Sequence, residues 1–421
     1  MKIRNLAEAE EILADYRPAV KEFLGKGITL DRMKPLMDVL GNPQDKLRVI
    51  HVAGTSGKTS TSQYIAHMLR LTGSTVGLTA SPHVNSLLER VQVNDKVVPE
   101  QTFCEELSGF LELIKDVAPQ PSYYELLVAF AYYYFAKVGV DFTVIETGLG
   151  GLHDGTNVAQ GRDKLCVITD IGYDHMKVLG HTLPEISAQK AGIIHPGNYV
   201  VMFRQAPEIM QVFHSHCHTV GAQLQEVRPE LINEFVFDAQ MPLYQRRNWT
   251  LAWSVYQRLA NVYDLPVIQG DTLEQSRQLV IPGRMEIVHQ SDQTVLFDGA
   301  HNSQKMAAFI ASFQELYPGI KPVVLLSVRD RKDFTDLVEQ LFDVAEEIIL
   351  TSFHVVQDIE HRNARLDEIA QFCEQHGFHD VVVEPDQHQA YLGLIRASGS
   401  VKVVTGSFYL IQQIKDREGL S

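Results

Sequence analysis

The stretch from Leu47 to Arg70 reads LRVIHVAGTSGKTSTSQYIAHMLR and constrains the fold more than any other part of the chain. A β-branched apolar run enters the hexapeptide Gly54-Thr55-Ser56-Gly57-Lys58-Thr59, and an amphipathic segment leaves it. Glycines let backbone N–H groups converge on phosphate oxygens when a strand delivers them to the N-terminus of a helix. Lys58 is then placed to neutralise β- and γ-phosphate charge, and Thr59 or Ser60 to offer a hydroxyl to Mg²⁺. The full phosphate-loop pattern has a further glycine where this chain has Val52, so the match is to a shorter form. The bland alternative, a glycine-rich turn that merely caps a helix, does not account for the strand–loop–helix context.

Apolar runs alternate with helical patterns almost throughout. STVGLTA, VDFTVIETG, KLCVITDIG and NYVVMF read as strands, and residues 59–72 read as a helix with Tyr64, Ile65, Met68 and Leu69 on one face. After VIPGRMEIV a second series follows: TVLFDGAHN, PVVLLSV, EEIILTSF, DVVVEP and VKVVTGS. The pattern predicts an α/β protein with mostly parallel sheets, and a second, five-stranded unit beginning where Pro282-Gly283 breaks the periodicity.

At 421 residues the chain exceeds one ordinary core, which also predicts two domains. Its net charge, 37 − 52 = −15, argues against nucleic-acid binding, which needs a basic face. Cys104, Cys166, Cys217 and Cys373 form no CxxC pair and read as reduced thiols of a cytoplasmic protein. The opening MKIRNLAEAEEILADYR reads as an acidic amphipathic helix without a leader's apolar region. No apolar run approaches ~20 residues, so no membrane span is expected. His214 and His218 in FHSHCHT have i, i+4 spacing without a second ligand group and read as structural, as does the aromatic run 132–135.

A nucleotide site needs metal ligands from other strand ends. Glu146 ends one strand, Asp170 another, and Asp174, His175 and Lys190 follow the latter. Singly, each reads as a cap, a turn residue or a solvated charge; their joint placement after apolar strands points to a site.

These and further elements resemble the folylpolyglutamate synthase/dihydrofolate synthase family, within the Mur ligase superfamily. The matching stretches are LGNPQ, HVAGTSGKTST, SPHVNSLLERVQVN, YELLVAFAYYYF, ETGLGGLHDGTNV, DHMKVLGHTLPEISAQKAGII, PGRMEIV, FDGAHN and TGSFYL, in order across nearly the whole chain. The resemblance implies a P-loop ATPase domain over 1–282 and a Rossmann-like glutamate-ligase domain over 287–421. It implies nucleotide contacts from Gly54, Thr55, Ser56, Gly57, Lys58, Thr59, Ser60, Asn248, Arg284 and Asp298, and Mg²⁺ ligands at Ser81, Glu146 and His175. Lys58, His175 and Lys190 become the catalytic set, with Lys190 matching a lysine carbamylated by CO₂, and His301 and Ser407 lie near the incoming glutamate.

The implied reaction joins a carboxylate to an amine with ATP. Phosphoryl transfer gives an acyl phosphate, which the amine of L-glutamate attacks; catalysis is positioning plus electrostatics. The implied partners are ATP, L-glutamate and a reduced folate or dihydropteroate, with no nucleic acid, no membrane, and a monomer expected. An anionic substrate calls for a basic strip, for which Arg90, Arg246, Arg247, Arg284, Arg329, Arg331 and Lys332 are candidates. The chain departs from the family at Thr59, where glycine is usual, at Leu152, where arginine is usual, at Ser327, where glycine is usual, and at Arg331-Lys332-Asp333. Two other readings stay open: a Mur-type ligase for a non-folate acid, and a nucleotide-binding module without turnover.

Overall fold

The structure is a computed structural model that describes residues 2–17, 29–84, 86–290, 293–330, 334–356, 360–399 and 401–420. Two compact units divide the chain: Met1–Phe237 with Arg246–Leu279, and Asp238–Gln245 with Val280–Ser421.

The first unit is built on strands β1 (Val49–Ala53), β2 (Val76–Thr79), β3 (Gln92–Val93), β4 (Lys96–Val97), β5 (Phe142–Glu146), β6 (Leu165–Ile168), β7 (Tyr199–Phe203) and β8 (Gln223–Val227). Among the described residues they form one sheet in the order β4-β3-β2-β5-β1-β6-β7-β8. From β2 to β8 every pairing is parallel; β3 and β4 add an antiparallel edge. β1, β5 and β6 are buried along their whole length, as a parallel sheet covered on both faces requires.

The helices close those faces. Tyr123–Val138 starts with a capping box of Ser122 and Glu125 and stops at Gly139, whose φ of 74° suits glycine. From its aromatic run Tyr132 and Phe135 are fully buried in the core, where Phe130, just before the run, meets Phe103 and Phe110 edge-on, each with ring centroids 5.3 Å apart. The phosphate-loop helix spans Lys58–Leu71, one residue earlier than its periodicity suggested, with Tyr64, Ile65, Met68 and Leu69 buried. Opposite the loop, Asp95 of the β3–β4 turn accepts from His67 and Arg70 of that helix.

Register places the functional ends. Val52 of β1 pairs with Glu146 of β5, and Ala53 with Ile168 of β6. The loops leaving β1, β5 and β6 therefore emerge side by side at one edge of the sheet, where doubly wound folds bind ligands.

Among the described residues the second unit is built on a sheet of six strands rather than five: β9 (Glu286–Gln290), β10 (Gln293–Asp298), β11 (Val323–Leu326), β12 (Glu347–Leu350), β15 (Val381–Val383) and β16 (Val401–Thr405). The order is β15-β12-β11-β16-β10-β9, parallel except for β9, with a separate hairpin of β13 (His354–Val356) and β14 (Glu360–Arg362). MEIV, read only as a domain marker, is the antiparallel edge strand. Asp298 and Thr405 are register partners, so the turns carrying His301 and Ser407 leave the same end of this sheet.

All four cysteines are free and buried. Among the described residues no helix is long and apolar enough to cross a membrane. The run 331–333, and with it Arg331 and Lys332 of the basic strip, lies outside the described residues.

Candidate active site

The loop after β1 is held open by close packing. A Cβ on Gly54 would stand 1.8 Å from Thr169 Oγ1, and one on Gly57 would stand 2.4 Å from Asn248 Oδ1. Gly57 also takes φ of 84°, in the left-handed region. The two glycines thus admit Thr169 from the end of β6 and Asn248 from the helix Leu243–Tyr263. The loop is further pinned by Asp170, whose carbonyl accepts from Thr55 N at 2.8 Å and Ser56 N at 3.2 Å. Thr55 Oγ1 donates to Gly172 O at 3.0 Å.

Arg247, a candidate for the basic strip, is engaged with Asp170 instead: Nε and Nη2 reach the two carboxylate oxygens at 2.8 and 2.6 Å. Such a fork is selective for carboxylate and fixes both partners. Arg90, another candidate, is 4% exposed and donates to His83 Nδ1 at 3.1 Å. Asp170, a strand-end acid expected near the site, holds the loop through its carbonyl and Arg247 through its carboxylate.

The two lysines converge. Lys58 Nζ donates to Gly54 O at 3.1 Å and Lys190 Nζ to the same oxygen at 2.8 Å. Lys190 is 3% exposed; burial, and then the positive charge of Lys58, push its ammonium down to about 7. Burial thus favours the uncharged, nucleophilic form of this amine.

Glu146 ends β5 at 3% exposure. One carboxylate oxygen accepts from Thr59 Oγ1 at 2.9 Å and the other from Ser81 N at 3.3 Å. Thr59, Ser81 and Glu146 are thus together. The Thr59 hydroxyl and Glu146 carboxylate, hard oxygen donors next to the phosphate loop, suit Mg²⁺, which takes few protein ligands and completes its shell with phosphate and water. Ser60 Oγ, in the first helical turn below the loop, is buried and has no hydrogen-bond partner among the described residues. His175 takes φ of 51° at the start of the short helix Met176–Leu179, and its N–H donates to Asp174 Oδ1 at 2.9 Å.

A buried network behind the site was not legible in the sequence. Asp154 accepts from Tyr124 Oη at 2.9 Å, Leu149 N at 2.8 Å, and Thr156 N and Oγ1 at 3.0 and 2.6 Å. Burial pushes its carboxyl up despite these bonds. His51, inside β1, sits 2.8 Å from Thr156 Oγ1 and 3.1 Å from Thr147 Oγ1 through Nε2.

The second unit carries the other expected residues. Asp298 is 4% exposed and accepts from Tyr244 Oη at 2.6 Å, Met285 N at 2.9 Å and Ala300 N at 2.9 Å. It ties three segments together. Arg284 lies over the Phe408 ring at 4.0 Å, and His301 meets that ring at 5.8 Å. Ser407 caps the helix Phe408–Glu418 by accepting from Tyr409 N. Lys305 Nζ approaches His301 Nε2 at 2.9 Å. In the histidine cluster set aside above, His214 pairs with Glu226 at 3.1 Å and His216 with Ile194 O at 3.1 Å.

Residues 52–237 match the Mur ligase middle domain, and residues 283–408 match the Mur ligase glutamate ligase domain. The chain is 30% identical over 419 residues to a dihydrofolate synthase/folylpolyglutamate synthase of Bacillus subtilis, covering 92% of this chain and 94% of that one. The chain belongs to this family of Mur ligases. Dihydrofolate synthetase of Saccharomyces cerevisiae is 29% identical, with 91% and 96% covered. A solved structure of Mycobacterium tuberculosis folylpolyglutamate synthase, complexed with ADP and AMPPCP, superposes with a TM-score of 0.83 at 25% identity over 98% of each chain. As a member of the family the chain is an ATP-dependent ligase, and the resemblance drawn from its motifs holds over nearly its full length.

Proposed function

We propose that this enzyme adds L-glutamate to the carboxylate of a reduced folate, or to dihydropteroate, through an acyl phosphate formed with ATP. The observation that carries the reading is the meeting of Lys58 and Lys190 on Gly54 O, beside the Thr59–Glu146 pair. Backbone N–H groups of 57–60, at the helix N-terminus, cradle the triphosphate, while those of Thr55 and Ser56 stay on Asp170 O, and Asn248 closes over Gly57. Lys58 offsets charge as the γ-phosphoryl group passes to the substrate carboxylate. Ser81, Glu146 and His175 are the proposed metal-holding residues; Mg²⁺ supplies charge neutralisation at the β- and γ-phosphates when bound.

Lys190, whose ammonium is lowered to about 7 by burial and by Lys58, is in its uncharged form the nucleophile for CO₂: its nitrogen bonds the carbon and releases a proton, leaving an anionic carbamate. That turns a second cation at the loop into an anion. Arg284 and Asp298 are assigned to the nucleotide, and His301 and Ser407 to the incoming glutamate. The ATP-binding part is assigned to 1–282 and the ligase part to 287–421, working as a cytoplasmic monomer.

The amine of glutamate attacks the acyl phosphate, the C–N bond forms, and phosphate leaves with the carboxylate's former oxygen. A second reading, a non-folate acid as acceptor, draws on Leu152, which is 39% exposed where the family carries arginine. Comparing phosphate release with folate-type and other carboxylates as acceptors separates the two readings.

A further inference from the structure

The loop that follows Glu146 is locked to the helix that carries Lys190. Leu152 N donates to Gln189 O at 2.7 Å. A Cβ on Gly151 would stand 2.8 Å from Gln189 O and 3.1 Å from Lys190 O, and one on Gly192 would stand 2.4 Å from Leu152 Cβ. The two segments pack backbone against backbone, with no room for a Cβ at Gly151 or Gly192.

Asn157 closes this junction. It is 1% exposed. Its Nδ2 donates to Leu152 O at 3.0 Å and to Gly192 O at 3.0 Å, one acceptor on each side. Both amide protons are then used, so Oδ1 must accept, and it does so from His195 Nε2 at 2.9 Å. That bond fixes the proton of the neutral imidazole on Nε2. Burial, and then the charge of Lys164, hold His195 down to about 4, so the ring stays neutral at working pH. His195 N in turn donates to Asn198 Oδ1 at 2.9 Å, anchoring the clamp to the turn before β7.

Gly192 follows the last turn of the helix Leu183–Ala191, two residues after Lys190. Any shift of that turn moves the Lys190 stem, which is buried and reaches Gly54 O at 2.8 Å. We propose that Asn157, held by His195, is a positioning residue that sets Lys190 against the phosphate loop. It touches neither nucleotide nor acceptor in this account and acts through the register of the loop 148–157 on the Lys190 helix. The inference rests on the catalytic reading of Lys190.

The test uses Asn157→Asp, which keeps the shape but removes both donated bonds and turns a carboxylate toward two carbonyls. With Mg-ATP, L-glutamate and tetrahydrofolate, kcat is expected to fall about 100-fold while KM for ATP stays within about threefold, as for a small misplacement of a catalytic group. A second readout follows Lys190 alone. Cyanate reacts with neutral amines, and peptide masses give its rate at Lys190 relative to buried Lys402 of the second unit. That ratio is expected to change about fivefold or more in Asn157→Asp, since amine reactivity follows pKa and access.

His195→Gln, which retains a donor in place of Nε2, should stay near wild type, and His195→Ala should move both readouts in the direction of Asn157→Asp. If Asn157→Asp does not fold, this His195 pair decides the matter. Wild-type kcat in Asn157→Asp, equal behaviour of the two His195 variants, or Lys402 shifting together with Lys190 would each overturn the proposal. Failure of the wild type to incorporate glutamate would instead count against the proposed function, and the cyanate ratio would still read the positioning.

Discussion

Lys58 and Lys190 share one acceptor, the carbonyl oxygen of Gly54, at 3.1 and 2.8 Å. Two ammonium groups drawn to one dipole repel each other, and the buried one yields. Converting Lys190 to an anionic carbamate would relieve that repulsion, which gives the modification a local electrostatic reason. Replacing Lys190 by alanine is expected to lower kcat by about 10³-fold while leaving ATP affinity within a few-fold, the usual scale for removing a key electrostatic group. Short-chain carboxylic acids should restore part of the rate by standing in for the carbamate. Steady-state kinetics and nucleotide titration check both halves.

The same lysine makes stability depend on pH. Its folded value is about 7 against an ordinary 10.5. Between those values the unfolded chain binds more protons, so stability from this group rises with pH across that window, and the cost of the buried cation is complete below it. In CO₂-free buffer, Lys190→Met should melt above wild type at pH 6, with the gap closing as pH approaches 10. Melting curves over that range are the check; a constant gap would contradict the assignment.

Much of this was legible because phosphate chemistry allows few solutions. Gly54, Gly57 and Lys58 had to follow an apolar strand, and β1 with its helix is what the structure contains. What was not legible follows from length and distance. β3 and β4 have two residues each, too short to show alternation, and β8 is a half-exposed polar edge, QLQEV. The family resemblance pointed to Asp298, but Tyr244, 54 residues earlier, could be joined to it only by the fold. Arg247 carried a charge the sequence could assign to substrate; Asp170 claims it.

Gly57→Ala tests the loop. The new Cβ would meet Asn248 Oδ1 at 2.4 Å, and φ of 84° adds about 1–2 kcal/mol of backbone strain. ATP affinity should fall at least about tenfold, and Asn248→Ala in the same chain should recover only part, because it relieves the contact and not the strain. Calorimetric titration with Mg-ATP measures both.

Tyr244→Phe tests the Asp298 hub. Removing the 2.6 Å bond to a buried carboxylate is expected to cost about 1.5–3 kcal/mol of stability in the second unit. Urea unfolding followed by a probe in residues 283–420 checks it.

The central claim is that the phosphate loop activates a folate-type carboxylate for attack by glutamate. The most direct measurement is phosphate release from Mg-ATP with L-glutamate and, separately, dihydropteroate, dihydrofolate or tetrahydrofolate, followed by product masses. The account predicts phosphate release in at least one mixture, with a product one glutamyl unit heavier than the acceptor. ATP binding without phosphate release or glutamylated product in any of the three would contradict it.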